Sequence, residues 1–221
     1  MAGLDPLLTL PSEQKDFVDW RQGRRYFAVW AIDLDGPLLR QACSDIREAL
    51  DDYWLPGYVR QPHLTVGLCG FPVASSGQAD DYGLAHFSAQ RQALMAAAPE
   101  RFEVEIGAPD SFVSAAYFSV GDLEGGLKKL RHILGGGVEE AGFVPHVTFA
   151  LYRSAFPLQA VLPELQARNS LAPYRLTVSK VAWMLYEAAV IGGPLLKLGE
   201  FDFDTGRFEV LAGDLFAQVF A

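Results

Sequence analysis

Two segments of the 221-residue chain share one pattern: Pro62-His63-Leu64-Thr65-Val66 and Pro145-His146-Val147-Thr148-Phe149, each Pro-His-apolar-Thr-apolar, with the histidines 83 residues apart. In an extended strand alternate side chains share a face. His63, Thr65, Gly67 and Cys69 are therefore expected on one side, with Leu64, Val66 and Leu68 on the other. The second copy sorts the same way, His146, Thr148, Ala150 and Tyr152 against Val147, Phe149 and Leu151. The apolar side reads as core and the His/Thr side as the wall of a cleft, where the small Gly67 and Ala150 would leave room for a ligand. With the two strands adjacent in a shared sheet, two imidazoles and two hydroxyls collect around one cavity. That set suits phosphodiester chemistry. A neutral histidine can take a proton from an attacking hydroxyl or water while an imidazolium gives one to the leaving oxygen. Threonine hydroxyls can donate to the non-bridging phosphate oxygens where negative charge grows. Histidine, with an unperturbed pKa near ~6.5, reaches both protonation states at neutral pH.

The elements that must position these residues follow from local patterning. Residues 25–34 (RYFAVWAIDL) are rich in aromatic and β-branched types and end in Asp35-Gly36-Pro37, a strand and a turn. Residues 38–53 carry apolar side chains at helical spacing, and Pro56-Gly57 stop that helix before the strand 63–69. Further on the pattern gives a helix over 83–98, strands over 102–106 and 112–120, a helix over 123–134 and a strand over 146–152. A helix over 158–168, one long strand over 174–186 and shorter strands over 195–203 and 208–211 complete it. Strand, helix and Pro-His strand thus recur, over 25–69 and again over 112–152. The period is too long for a solenoid and suits two similar lobes facing each other. Residues 1–24, with Pro6 and Pro11, read as an N-terminal arm holding one short helix, and 25–221 as a single bilobal domain.

Other residues carry weaker signals. Asp110 and Glu187 show no ligand spacing to the histidines, so no metal site is expected. Gly135-Gly136-Gly137 follows a helix instead of opening one, which argues against a phosphate loop. His86 and His132 sit in or beside helices and read as structural or solvent-exposed. Among aromatics that could stack a base, Tyr152 leads, ahead of Tyr117, Phe118, Trp30 and Trp183. Arg60, three residues before His63, is a solvated loop residue or a contact for an anionic substrate.

The formal charge is −9, from 27 acids and 18 bases. Phosphate contacts dominate affinity for long nucleic acid, so a broad basic groove is excluded, and any nucleic-acid contact must be local. Cys43 and Cys69 lack a second pair or CxxC spacing and read as free thiols in a reducing compartment. The first residues, Met1-Ala2-Gly3-Leu4-Asp5-Pro6, do not resemble a signal peptide, and no apolar run reaches the ~18 residues of a membrane span. A soluble cytoplasmic monomer without membrane association is expected.

The paired motifs make the sequence resemble the 2H phosphoesterase superfamily, whose mark is two His-x-Thr-x motifs. His63-Leu64-Thr65-Val66-Gly67-Leu68-Cys69-Gly70 is similar to the first motif of its 2′-5′ RNA ligase-like branch, and the strand with Ala28–Asp33 to the start of its cyclic phosphodiesterases. The resemblance spans roughly residues 25–186. It implies an α+β fold, a bilobal duplicated β-α-β arrangement with antiparallel-rich sheets around a central cleft. It further implies metal-independent phosphodiesterase or ligase chemistry on 2′,3′-cyclic phosphates, RNA ends or 2′-5′ linkages, with no cofactor. His63 and His146 become the acid–base pair, their individual roles open, and Thr65 and Thr148 the phosphate contacts. The partner implied is a nucleotide or RNA terminus, not long double-stranded nucleic acid. Hydrolysis, reversible 2′-5′ ligation and nucleotide binding without turnover all fit these residues. One departure is Leu151, where members of the branch often carry a basic residue five places after the second histidine; Arg153 does not replace it on the His146 face.

Overall fold

The structure, a computed structural model, describes residues 7–135, 142–169, 171 and 173–221. The chain runs through α1 (Gln14–Arg21), β1 (Tyr26–Asp33), α2 (Pro37–Ala49), β2 (His63–Pro72), β3 (Asp81–Tyr82), α3 (Leu84–Ala97), β4 (Phe102–Ser111) and β5 (Ala115–Asp122). It continues with α4 (Gly126–Gly135), β6 (His146–Leu151), α5 (Leu158–Ala167), β7 (Tyr174–Val178), β8 (Lys180–Glu187), β9 (Leu196–Asp202), β10 (Arg207–Val210) and α6 (Gly213–Gln218). Two curled, mostly antiparallel sheets result, ordered β10-β9-β8-β1-β2-β3 and β6-β5-β4-β7. No helix among the described residues is long and apolar enough to cross a membrane.

The central strand β1 is apolar along its length because both its faces are covered. Ala28, Trp30 and Ile32 join the main core, which also takes Leu39, Cys43 and Ile46 of α2, Phe87 and Leu94 of α3, Leu127 and Leu130 of α4, and Val161 and Leu165 of α5. Phe27, Val29 and Ala31 point the other way, into a smaller cluster with Phe71, Met184 and Leu195. Trp20 of α1 packs on that cluster, 4.9 Å from Phe27 and 4.8 Å from Phe71. Ahead of α1, residues 7–12 are tied to the second sheet's half: the buried Thr9 accepts from Phe156 N and donates to Ser154 O, and Ser12 N donates to Tyr152 O.

Three differences from the sequence reading have physical causes. The strand expected over 174–186 is two strands, because at Ser179 the chain leaves the four-stranded sheet for the six-stranded one. Both halves read as strand from sequence, β7 alternating with Arg175 and Thr177 exposed and β8 buried over residues 181–185. Second, β4 extends to Ser111 and Phe112 lies in the turn before β5. Third, β2 and β6 do not share a sheet; they approach each other from opposite sheets.

Both motif strands also carry a β-bulge at the same place. Asp33, Ala31 and Trp30 pair with His63, Thr65 and Gly67, so Val66 is extra; Ser119, Tyr117 and Ala116 pair with His146, Thr148 and Ala150, so Phe149 is extra. An extra residue reverses the alternation beyond it. Gly67 and Ala150 therefore face the core, as do Cys69 and Tyr152, correcting the even spacing read from the sequence. A Cβ at Gly67 would lie 3.8 Å from Leu134, on the helix side. Burial pushes the Cys43 and Cys69 thiols up to about 12, and both are free.

Gln90 of α3 links the halves. Its Oε1 accepts from Trp30 Nε1 at 2.8 Å and from the Tyr82 hydroxyl at 2.6 Å, while Nε2 donates to Leu134 O of α4 at 2.7 Å. Cys69 Sγ also donates to Oε1, at 3.9 Å, and replacing Gln90 with an apolar residue strands all four partners. Gln90→Leu should lower the free energy of urea unfolding by about 2–4 kcal/mol; a loss under about 1 kcal/mol would show that water replaces the amide there.

Candidate active site

The dipeptide Pro-His begins each motif strand, and the proline carries no N–H to extend the ladder backward. The free carbonyl two residues before each histidine is then taken by the ring. His63 Nδ1 lies 2.8 Å from Gln61 O, and His146 Nδ1 lies 2.7 Å from Val144 O. A carbonyl only accepts, so both Nδ1 atoms carry the proton and both Nε2 atoms are left for a ligand. Thr65 and Thr148 follow on the same faces and are half-buried. Among the described residues neither hydroxyl is taken by a protein partner. The strands that carry the two motifs, β2 and β6, pack against each other.

The two imidazoles differ in setting. His63 is 9% exposed, and burial lowers its pKa to about 4; the Gln61 carbonyl opposes this, and the positive charges of Arg60 and His146 add to it. His146 is half-buried, with Phe112 and Tyr117 edge-on to its ring at 4.9 and 5.4 Å. Those two rings stack on each other at 4.2 Å. Beside His63 a cavity of about 60 Å³ is lined by Asp33, Asp35, Gln61, Met184, Leu195 and Lys197. Lys197 Nζ sits 2.5 Å from Asp33, which pairs across the sheet with His63.

Of the residues singled out from sequence, His63 and Thr65 on β2 and His146 and Thr148 on β6 lie on strands packed against each other. Arg60 lies beside them, donating Nε to Gly193 O and resting 4.1 Å over the Tyr186 ring. Tyr152 does not: it is fully buried, its hydroxyl 2.5 Å from Ser111 Oγ and its ring against Trp54, so it has no face open to a base. The bulge at Phe149 turned it inward. Tyr117, Phe118, Trp30 and Trp183 are buried as well. The same bulge brings Leu151 to the His146 side, so the position where relatives often carry a base borders the site and is apolar here. Its counterpart Leu68, opposite Val29, stands on the Thr65 side and is 73% exposed. Arg153 turns to Asp52, 3.6 Å away. Of Gly135-Gly136-Gly137 only Gly135 is among the described residues, as the last of α4; Gly136, Gly137 and residues 1–6 lie outside them. Phe112, Asp33 and Lys197 were missed because nothing local in sequence pairs them with a histidine; only Asp33, at the end of the strand before the first motif, carried a hint.

Because the folded His63 releases its proton far below an unfolded imidazole, the unfolded chain is protonated first as pH falls. The contribution is full above about pH 6.5 and is lost progressively toward about pH 4, by about 3 kcal/mol in all. Urea unfolding at steps between those limits should show this slope in the native protein and a flatter one in His63→Asn; parallel slopes would mean the ring is hydrated.

Solved structures share this architecture. The chain resembles the crystal structure of TT0787 of Thermus thermophilus with a TM-score of 0.54 at 16% identity, covering 80% of this chain and 97% of that one. Structures of E. coli LigT in complex with 3′-AMP and with ATP each give a TM-score of 0.49 at 15% identity, covering 81% and 80% of this chain and 98% of theirs. No curated protein sequence matches the chain. The sequence profile described as the 2′-5′ RNA ligase superfamily matches residues 35–189, which contain both His-x-Thr motifs, and the chain belongs to that superfamily of 2H phosphoesterases.

Proposed function

We propose that the chain is a phosphodiesterase that opens 2′,3′-cyclic phosphates, or cleaves 2′-5′ phosphodiesters, at the end of a nucleotide or short RNA. The observation that carries this reading is the pair of Nδ1-anchored imidazoles, each presenting Nε2 beside a free threonine hydroxyl, on strands that approach from opposite sheets. Two such groups flanking one phosphorus can act as base on the attacking oxygen and acid on the leaving one. The threonine hydroxyls donate to the non-bridging oxygens, where charge builds.

The settings of the two rings support one division of roles. His63 is held neutral at physiological pH, with a lone pair on Nε2, and serves as the base. A bound phosphate places negative charge beside it, offsetting the burial that opposes its imidazolium. His146, the half-buried ring, then serves as the acid. In the cyclic case a water loses its proton to His63 as its oxygen bonds to phosphorus, and the departing ribose oxygen takes a proton from His146. Arg60 supplies attraction for the incoming anion. The net charge of −9 favours a small substrate over a long strand, which supports the hydrolytic reading.

Turnover of 2′,3′-cyclic nucleotides by the purified protein should survive chelator and follow a bell-shaped pH profile. It should fall by about a thousandfold or more in His63→Ala and in His146→Ala, with circular dichroism unchanged. Equal turnover in wild type and both variants would refute the reading. Tight mononucleotide binding without product would instead favour a binding module.

A further inference from the structure

The extra residue of a bulge stands outside the regular pairing of its ladder, and here each one is met by an arginine from the other half of the molecule. Arg131 of α4 donates Nη1 to Val66 O at 2.7 Å, reaching the first motif. Arg47 of α2 donates Nη1 to Phe149 O at 3.2 Å, reaching the second. The helices are equivalent in the duplication, α2 lying between β1 and β2 and α4 between β5 and β6. The exchange is therefore reciprocal. Both guanidinium groups are half-buried on the helix side of the sheets, Arg131 lying 3.4 Å over the Phe143 ring and Arg47 6.0 Å from that of Tyr58. The Tyr58 hydroxyl donates in turn to Thr148 O at 3.3 Å, adding a second tie across the same boundary.

We propose that Arg47 and Arg131 are positioning residues, each holding the His-x-Thr strand of the opposite lobe, so that both pairs take their working orientation only when the lobes are docked on each other. The bulge is the joint between helix and site: the arginine grips the carbonyl immediately after the threonine, and the histidine is two residues before that threonine. A guanidinium hydrogen-bonded to a carbonyl is stronger than a neutral pair and fixes direction as well as distance. Misplacement by ~1 Å costs a catalytic group on the order of a hundredfold in rate. As an account of catalysis this rests on the acid–base reading above; as an account of geometry it does not.

The test is crossed. With four histidines in the chain, their imidazole Cε1–Hε1 signals can be assigned, and His132, next to Arg131 on α4, reports purely local effects. Arg47→Gln should move the signals of His146 and the Thr148 methyl more than those of His63 and Thr65, and Arg131→Gln should do the opposite. Turnover of a 2′,3′-cyclic nucleotide should fall about tenfold to a hundredfold in kcat, with KM changed less than about threefold. Arg47→Lys and Arg131→Lys, which keep one charged donor, should recover most of that loss, and they carry the same crossed comparison where a glutamine variant does not fold. Signals that move only on the mutated helix's own half, or equally on both, or lysine variants no better than glutamine, would overturn the proposal. A wild-type protein without turnover would refute the phosphodiesterase reading while leaving the crossed pattern to be judged alone.

Discussion

One extra residue after each motif threonine governs how this molecule reconciles its core with its site. A regular strand would send every second residue beyond the histidine toward the ligand. With the bulges at Val66 and Phe149, two consecutive residues in each strand face the core, and the face that began with His and Thr resumes at Leu68 and Leu151. Each motif thereby presents only two polar side chains to the cleft while the strand beyond them is anchored from the helix side. The bulges also supply the carbonyls that Arg131 and Arg47 grip, and so join each motif strand to the helix of the opposite lobe.

A near-symmetric scaffold then yields an asymmetric pair of histidines. Both rings are oriented by the same device, Nδ1 on the carbonyl two residues earlier. What differs is the surroundings: His63 is walled by Gln61, Met184 and Leu195 and shares its neighbourhood with Arg60, whereas His146 stands edge-on to Phe112 and Tyr117 and keeps contact with solvent. Burial disfavours the charged form of His63, the ring proposed as the base. The buried ring lowers the stability of the fold in acid, a cost set against its readiness as a base.

Much of this was legible in the residues. The Pro-His-x-Thr repeat, the strands and helices around it and the division into two lobes rest on local spacing, and the structure places them as expected. What failed was everything that depends on a register shift or on a distant partner. Strict alternation put Gly67, Ala150 and Tyr152 in the cleft, and the residue inserted after each motif threonine took them out. The break at Ser179 was hidden because β7 and β8 are both built of residues fit for a sheet, and only the packing of two sheets requires the chain to change from one to the other. Arg47 and Arg131 look like ordinary solvated helix residues until the opposite lobe is in place. The same holds for Lys197, whose pairing with Asp33 joins β9 to the end of β1.

The central claim is that the two motifs, from different sheets, form one phosphate site. Titration of the protein with a nucleoside 2′-monophosphate, followed by the imidazole signals of His63 and His146 and the methyl signals of Thr65 and Thr148, addresses it most directly. All four should shift together along a single binding curve, with His86 and His132 unmoved. Shifts confined to one motif, or two curves with separate midpoints, would contradict it.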